Sequence, residues 1–199
     1  MSSAGQRDGQ IPRRTGESTA VPAREFRSPL TRMLLRSDGL TTPLLEALAG
    51  GPVRVGRGDC GEIRAGRAEA SAAPLAAADA APLLVRRSVM VTGSGHSVSA
   101  NRVIARLGLA PCLDACLRDP TAPLGPALAA TGSGPLRRTL LSTGTSAWTA
   151  GRTPGVGCWR TYLMRLGDIP LAVVTEHFDP ALVPAHTASH RGRCAMGAS

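Results

Sequence analysis

The chain contains no lysine, so all 23 of its Lys+Arg positions are arginine. That excludes Schiff-base chemistry and a phosphate loop built on a Walker-type lysine. Aromatic residues are scarce at 3% (Phe26, Trp148, Trp159, Tyr162 and Phe178), which argues against a surface that works by stacking bases. No run of 18 apolar residues occurs, and residues 1–27 hold no apolar stretch of the secretory type. There is no G-x-S-x-G nucleophile elbow and no G-x-G-x-x-G opening a helix. His96, His177, His186 and His190 are dispersed, and no histidine joins Cys112 and Cys116 at zinc-ligand spacing. No metal or organic cofactor is expected.

What is present suits one ordinary domain. Of 199 residues, 43% are hydrophobic, enough for a sizeable core. The formal charge of +9 arises from 23 basic against 14 acidic residues. The arginines fall as singles and pairs, without the basic runs of a nucleic-acid-binding arm. The abundance of Ala, Gly, Pro and Arg matches codon bias, so a role for any arginine in gripping an anion has to be argued site by site. The five cysteines are an odd number with no leader ahead of them, which predicts free thiols and a cytoplasmic location, with Cys112 and Cys116 packed in the core.

The sequence divides into a polar leader over 1–27, a domain over 28–183 and a polar tail over 184–199, with both ends expected to be disordered. Ser28-Pro29 makes an N-cap and first turn for a helix carrying Leu30, Met33 and Leu34. Asp38-Gly39 turns the chain into a second helix, Thr41 to Ala49, closed by Gly50-Gly51. Pro52 to Pro82 starts as V-R-V and becomes Ala-rich, and is expected to be a partly mobile excursion. Leu83–Val91 and Val98–Ile104 are strands around the turn Thr92-Gly93-Ser94-Gly95. Leu107 to Ala130 is helical or irregular, and Arg137–Ser142, Trp159–Leu166 and Leu171–Phe178 are three further strands. Tight turns between strands predict an α+β fold, with a single antiparallel sheet and helices on one side.

Strand alternation singles out candidate site residues. In Leu171–Phe178, Glu176 is the only charged group on a face shared with Ala172, Val174 and Phe178. A carboxyl on an apolar face is either a general acid or one half of a salt bridge to an arginine, and alternation alone leaves both open. Arg102 alternates with Val98, Ala100 and Ile104. Arg86 alternates with Leu84, Ser88 and Met90, and Arg87 with Val85, Val89 and Val91, so either of that pair could point inward. Two inward arginines and one inward carboxylate would suit a small anion.

The segments L-L-V-R-R-S-V-M-V, N-R-V-I-A, A-P-L-G-P-A-L-A and R-L-G-D-I-P-L-A-V-V-T-E-H-F come in an order that resembles the chorismate pyruvate-lyase family. The match covers roughly Leu30–Pro184 and is closest from Leu83 onward. The resemblance implies a buried pocket under helical flaps and cofactor-free conversion of chorismate to 4-hydroxybenzoate and pyruvate by a monomer, without nucleic acid or membrane. It gives Arg86 and the backbone amides of Leu124 and Leu40 to the ring carboxylate, and Glu176 and Arg102 to the ether end as catalytic residues. Two alternatives remain: a sister lyase for another enolpyruvyl acid, and a non-catalytic binding module. Effector domains of GntR-type transcription regulators resemble this fold, but they follow a DNA-binding winged helix, which 27 leader residues are too few to form.

Overall fold

The computed structural model describes residues 18–68, 70–151 and 154–188. Seven strands form one antiparallel sheet in the order β1-β5-β6-β7-β4-β3-β2. They are β1 (Thr19–Ala20), β2 (Val53–Arg64), β3 (Pro82–Thr92), β4 (Ser97–Arg106), β5 (Leu136–Trp148), β6 (Gly155–Leu166) and β7 (Ile169–Phe178). Hairpins join β3 to β4 and β6 to β7, the two pairs whose turns are legible in the sequence. The α-helices among the described residues are α1 (Pro29–Arg36), α2 (Thr41–Ala49), α3 (Pro111–Arg118) and α4 (Leu124–Ala130). The α+β architecture with helices against one sheet face is the expected one.

Local chemistry explains the helical hairpin. Ser28 Oγ accepts from Thr31 N at 3.2 Å with Pro29 in the first turn, a capped start that needs no tertiary help. Gly50, at φ 69°, ends α2 in the left-handed conformation that glycine adopts without a Cβ penalty. Leu34, Leu35 and Leu45 turn inward against Phe26, Met90, Cys158, Phe178 and Val183. At the other end of the same face, Leu113, Leu117 and Leu128 of α3 and α4 pack on Val103, Tyr162, Met164 and Val174.

Three expectations about segments change. Val53–Arg64 is an edge strand paired along β3, and a 3-10 helix at Ala70–Leu75 carries Ala72 and Leu75 onto the reverse sheet face. Two of the glycines that hid this strand have a packing reason: a Cβ on Gly56 would lie 2.7 Å from Val91 Cγ1, and one on Gly58 would meet Pro120 O. The described end of the leader joins the domain, with β1 pairing β5 and Phe26 buried. The first residues of the tail do the same, because Phe26 bridges Thr187 and Thr31 Oγ1 donates to Pro184 O at 2.7 Å. Residues 1–17 and 189–199, with His190 and Cys194, lie outside the described residues. Cys60, Cys112, Cys116 and Cys158 are free thiols, but Cys112 is exposed and Cys116 half-buried where core packing was expected, and no described helix is long and apolar enough to cross a membrane.

Cys158 is fully buried, and desolvation pushes its thiol from 9.0 up to about 12. Burial likewise raises the Tyr162 hydroxyl, with the Glu176 charge adding to the effect. In both cases the unfolded chain ionises first. Their stabilising contribution is therefore complete below the unfolded value and lost as pH climbs toward the folded one. We expect unfolding free energy to fall above pH 9, by up to about 1.4 kcal/mol per pH unit for each group. Urea titrations across pH 8–11 measure this. Cys158→Ala should flatten the first part of the decline, and an unchanged slope in that variant would refute the assignment.

Candidate functional site

Between the two helix pairs the sheet face is left open as a cleft of about 570 Å³, counting its mouth. Its floor comes from β3, β4, β7 and β6, and its walls from α2, the start of α4 and Arg138 of β5. Strand register builds the floor in rungs. Arg86, Val103, Val174 and Tyr162 form one rung, and Ser88, Asn101, Glu176 and Arg160 form the next.

Arg160 and Glu176 make a buried ion pair, with Nε donating to Oε2 at 2.7 Å. Arg160 Nη1 donates to Leu34 O at 2.6 Å and Ser37 O at 2.8 Å, and Nη2 donates to Thr41 Oγ1 at 2.8 Å. Thr41 Oγ1 passes a hydrogen bond on to Glu176 Oε1 at 2.8 Å, and Tyr162 OH donates to the same oxygen at 3.3 Å. Glu176 is thus surrounded by donors. Of the two readings open for it from alternation, the salt bridge is the one this geometry presents. Sequence reasoning missed Arg160, although alternation with Tyr162 and Met164 on β6 was available as a signal.

Arg86 stands in the opposite electrostatic situation. It is 2% exposed and lines the cleft, yet no described carboxylate lies within ion-pair distance. Its Nη1 donates to Cys116 O at 3.3 Å and its Nη2 to Ala122 O, both neutral acceptors. Burial lowers its pKa, and the through-space pull of Asp119 opposes that only in part. Asp119 is itself engaged with Thr121 N at 2.8 Å and Thr121 Oγ1 at 2.6 Å. Arg87 occupies the reverse face, paired with Asp59 at 3.4 Å, which resolves the Arg86/Arg87 register.

The other predicted residues divide. Leu124 opens α4 and lines the cleft. Leu40 is the N-cap of α2 and does not line it; its side chain lies against Gly125. Arg102 is not brought to the site. It pairs with Arg87 and Thr175 in the register, on the face away from Glu176 and Arg86. Its apolar neighbours misled because the reverse face has hydrophobic clusters of its own, including Ile104 and Val89. Three cleft atoms are buried without a hydrogen-bond partner: Ser99 Oγ, Asn101 Oδ1 and Arg138 Nε. Arg138 also donates from Nη1 to Asp38 O at 2.9 Å, tying the cleft to the turn between α1 and α2. Among the described residues, no three His, Cys, Asp or Glu side chains converge as metal ligands.

No family model matches the chain, and no curated protein sequence matches it. Solved structures do. PhnF from Mycobacterium smegmatis is similar at 18% identity and TM-score 0.52, over 79% of this chain and 71% of that one. Its effector domain solved alone is similar at 18% identity and TM-score 0.50, over 72% of this chain and 90% of that one. A protein described as a GntR-family transcriptional regulator is similar at 16% identity and TM-score 0.50, over 73% of this chain and 66% of that one. These likenesses carry the fold. The chorismate lyase resemblance therefore stands as a resemblance of fold, and what it implied about activity is corrected. Similar folds in regulator proteins overturn the expectations of a lyase, of an enzyme, of chorismate as partner, and of a lone monomer with no connection to nucleic acid.

The ion pair is tested through stability. Removing one partner of a buried pair leaves the other charge stranded, so Glu176→Ala should cost about 3–5 kcal/mol in urea unfolding. Glu176→Leu combined with Arg160→Met should recover much of that, short of the whole because Leu34 O and Ser37 O lose their donor. A single-variant cost below about 1 kcal/mol would show that the pair is not what holds the flap.

Proposed function

We propose that this chain is a non-catalytic binding module for a small organic anion, of the effector-domain type. The observation that carries the reading is Arg86, a buried guanidinium lining a cleft with two backbone carbonyls as its hydrogen-bond partners and only the through-space pull of Asp119 as a counter-charge. An uncompensated buried charge is expensive, and a protein that retains one gains when a counter-charge arrives from outside. Arg86 uses two of its five N–H groups on those carbonyls, leaving donors for a carboxylate or phosphate oxygen. Leu124 stands at the first turn of α4, where helix amides have no intrahelical acceptor.

The arrangement also favours binding over chemistry. Glu176 accepts from Arg160, Thr41 and Tyr162, so the carboxylate is spent on holding α1 and α2 over the cleft. Likeness to the effector domain of PhnF supports the same reading. The cleft's contact with the helical hairpin, through Thr41 and Arg138, gives a bound molecule a way to bias the position of α1 and α2.

Thermal unfolding of the full chain with millimolar acetate, benzoate, cyclohexanecarboxylate or inorganic phosphate tests this. At a hundred times Kd a ligand adds about 2.7 kcal/mol, several degrees of Tm. We expect at least one of these anions to raise Tm in the wild-type protein and to lose that effect with Arg86→Met. No shift with any of them, or a shift that survives the substitution, would contradict an anion site at Arg86.

A further inference from the structure

We propose that β2, the long edge of the sheet, is a pairing surface for a second copy of this chain, with the two β2 strands antiparallel about a twofold axis at Gly58. Strand β2 stands last in the sheet order, so among the described residues no further strand covers its outer side. Such an edge is a template for another strand unless something blunts it. Charge is a common way to blunt it, because an edge of one sign repels its own copy. On β2 the order of the charges does the reverse.

From Arg54 to Glu62 the charged residues are Arg54, Arg57, Asp59 and Glu62, two positive and then two negative. Gly58 lies at the middle of that run, and a twofold axis there sets the basic half of each copy on the acidic half of the other. Arg57 of one copy then stands opposite Asp59 of the other, on both sides of the axis. The two residues share a face, since Arg57 pairs with Val89 and Asp59 with Arg87, two positions apart on β3. An axis normal to the sheet keeps that face common to both copies. Farther out, the register shift at Gly56 supplies one extra residue, so Arg54 comes opposite Gly61 and beside Glu62.

The acidic half is accessible for this. Asp59 and Glu62 are exposed, and their ion pairs within the chain, to Arg87 at 3.4 Å and Arg118 at 2.7 Å, lie at the surface. Pairs of that kind contribute little, and each carboxylate keeps lone pairs for a second donor. Arg64, beyond the run, is turned back to donate to Ala80 O at 2.9 Å. The opposite end of the sheet does not suit a copy. There β1 covers β5 only at Gly144 and Thr145, and the rest of the edge exposes Leu140 and Leu141. Strand β5 carries Arg137 and Arg138 and no acidic residue, so two copies would repel along it.

One strand pair with charged flanks makes a small contact, of the weak and salt-dependent class. Sedimentation velocity of the full chain, from about 1 to about 100 μM at low salt, covers that class. We expect a monomer–dimer equilibrium that weakens at least about tenfold in about 500 mM salt, where exposed charges are screened. Arg57→Asp sets two carboxylates against each other across the axis, and Asp59→Arg sets two guanidiniums. Each should weaken the dimer at least about tenfold with circular dichroism matching wild type. Arg57→Asp combined with Asp59→Arg puts opposite charges back across the axis and should recover most of the affinity, which damage to the fold would not allow. A monomer throughout, a dimer indifferent to the single reversals, or a double variant no tighter than the singles would overturn the proposal. So would a dimer broken by Leu141→Arg and not by Arg57→Asp, which moves the contact to β5. Assemblies that grow past the dimer would also overturn it, since they mark a head-to-tail contact.

Discussion

Charge matching between Arg160 and Glu176 is the constraint on which the functional half of the molecule depends. Both side chains are buried, and two desolvated charges are tolerated only when they meet each other and satisfy their remaining donors and acceptors. Arg160 does so by reaching up from β6 to the last carbonyls of α1 and to Thr41 at the start of α2. One interaction therefore neutralises the sheet face and fixes the helical hairpin above it. The cleft exists because that hairpin and the α3–α4 pair are each anchored to their own end of the face, leaving the rungs between them uncovered.

Arg86 and Arg160 are the same residue at nearly the same burial, 2% and 1% exposed, and they do opposite things. Arg160 spends its charge and one N–H group on Glu176, and three more N–H groups on Leu34, Ser37 and Thr41. Arg86 donates to two carbonyls and has no carboxylate in ion-pair contact, with Asp119 offsetting its charge only in part. Departures from good polar accounting tend to mark function. Here several share one place: the Arg86 guanidinium, Ser99 Oγ, Asn101 Oδ1 and Arg138 Nε all line the same cleft.

Much of the fold was legible because its signals are local. Ser28-Pro29 and Gly50 bracket the helical hairpin by capping chemistry, and the Gly-rich turns fix two strand pairs. Strand β2 was legible only in its V-R-V start, since Gly56 answers to Val91 on the neighbouring strand and Gly58 to Pro120 beyond α3, rather than to anything within the segment. The site was legible in part. Arg86, Glu176 and Leu124 do line the cleft, while Arg102 sits on the reverse face and Leu40 only props Gly125. Arg160 escaped because an even hairpin register from the Gly167 turn would set Trp159, not Arg160, opposite Glu176. A bulge between Met164 and Arg165 moves the pairing by one residue.

By itself the sequence determined what period and composition can determine: an α+β chain, the order of its hairpins, and a carboxylate and several arginines out of place among apolar neighbours. Alternation has a period of two and says which residues share a face, but not which face the helices will cover. That choice, the bulge that brings Arg160 to Glu176, and the difference between a spent and an unspent arginine belong to the tertiary structure. Each depends on contacts between segments far apart in the chain, such as Arg160 with Leu34. The family resemblance carried the fold, and likeness to regulator proteins corrects what it implied about activity, because one fold hosts many functions and activity resides in how a few side chains are partnered.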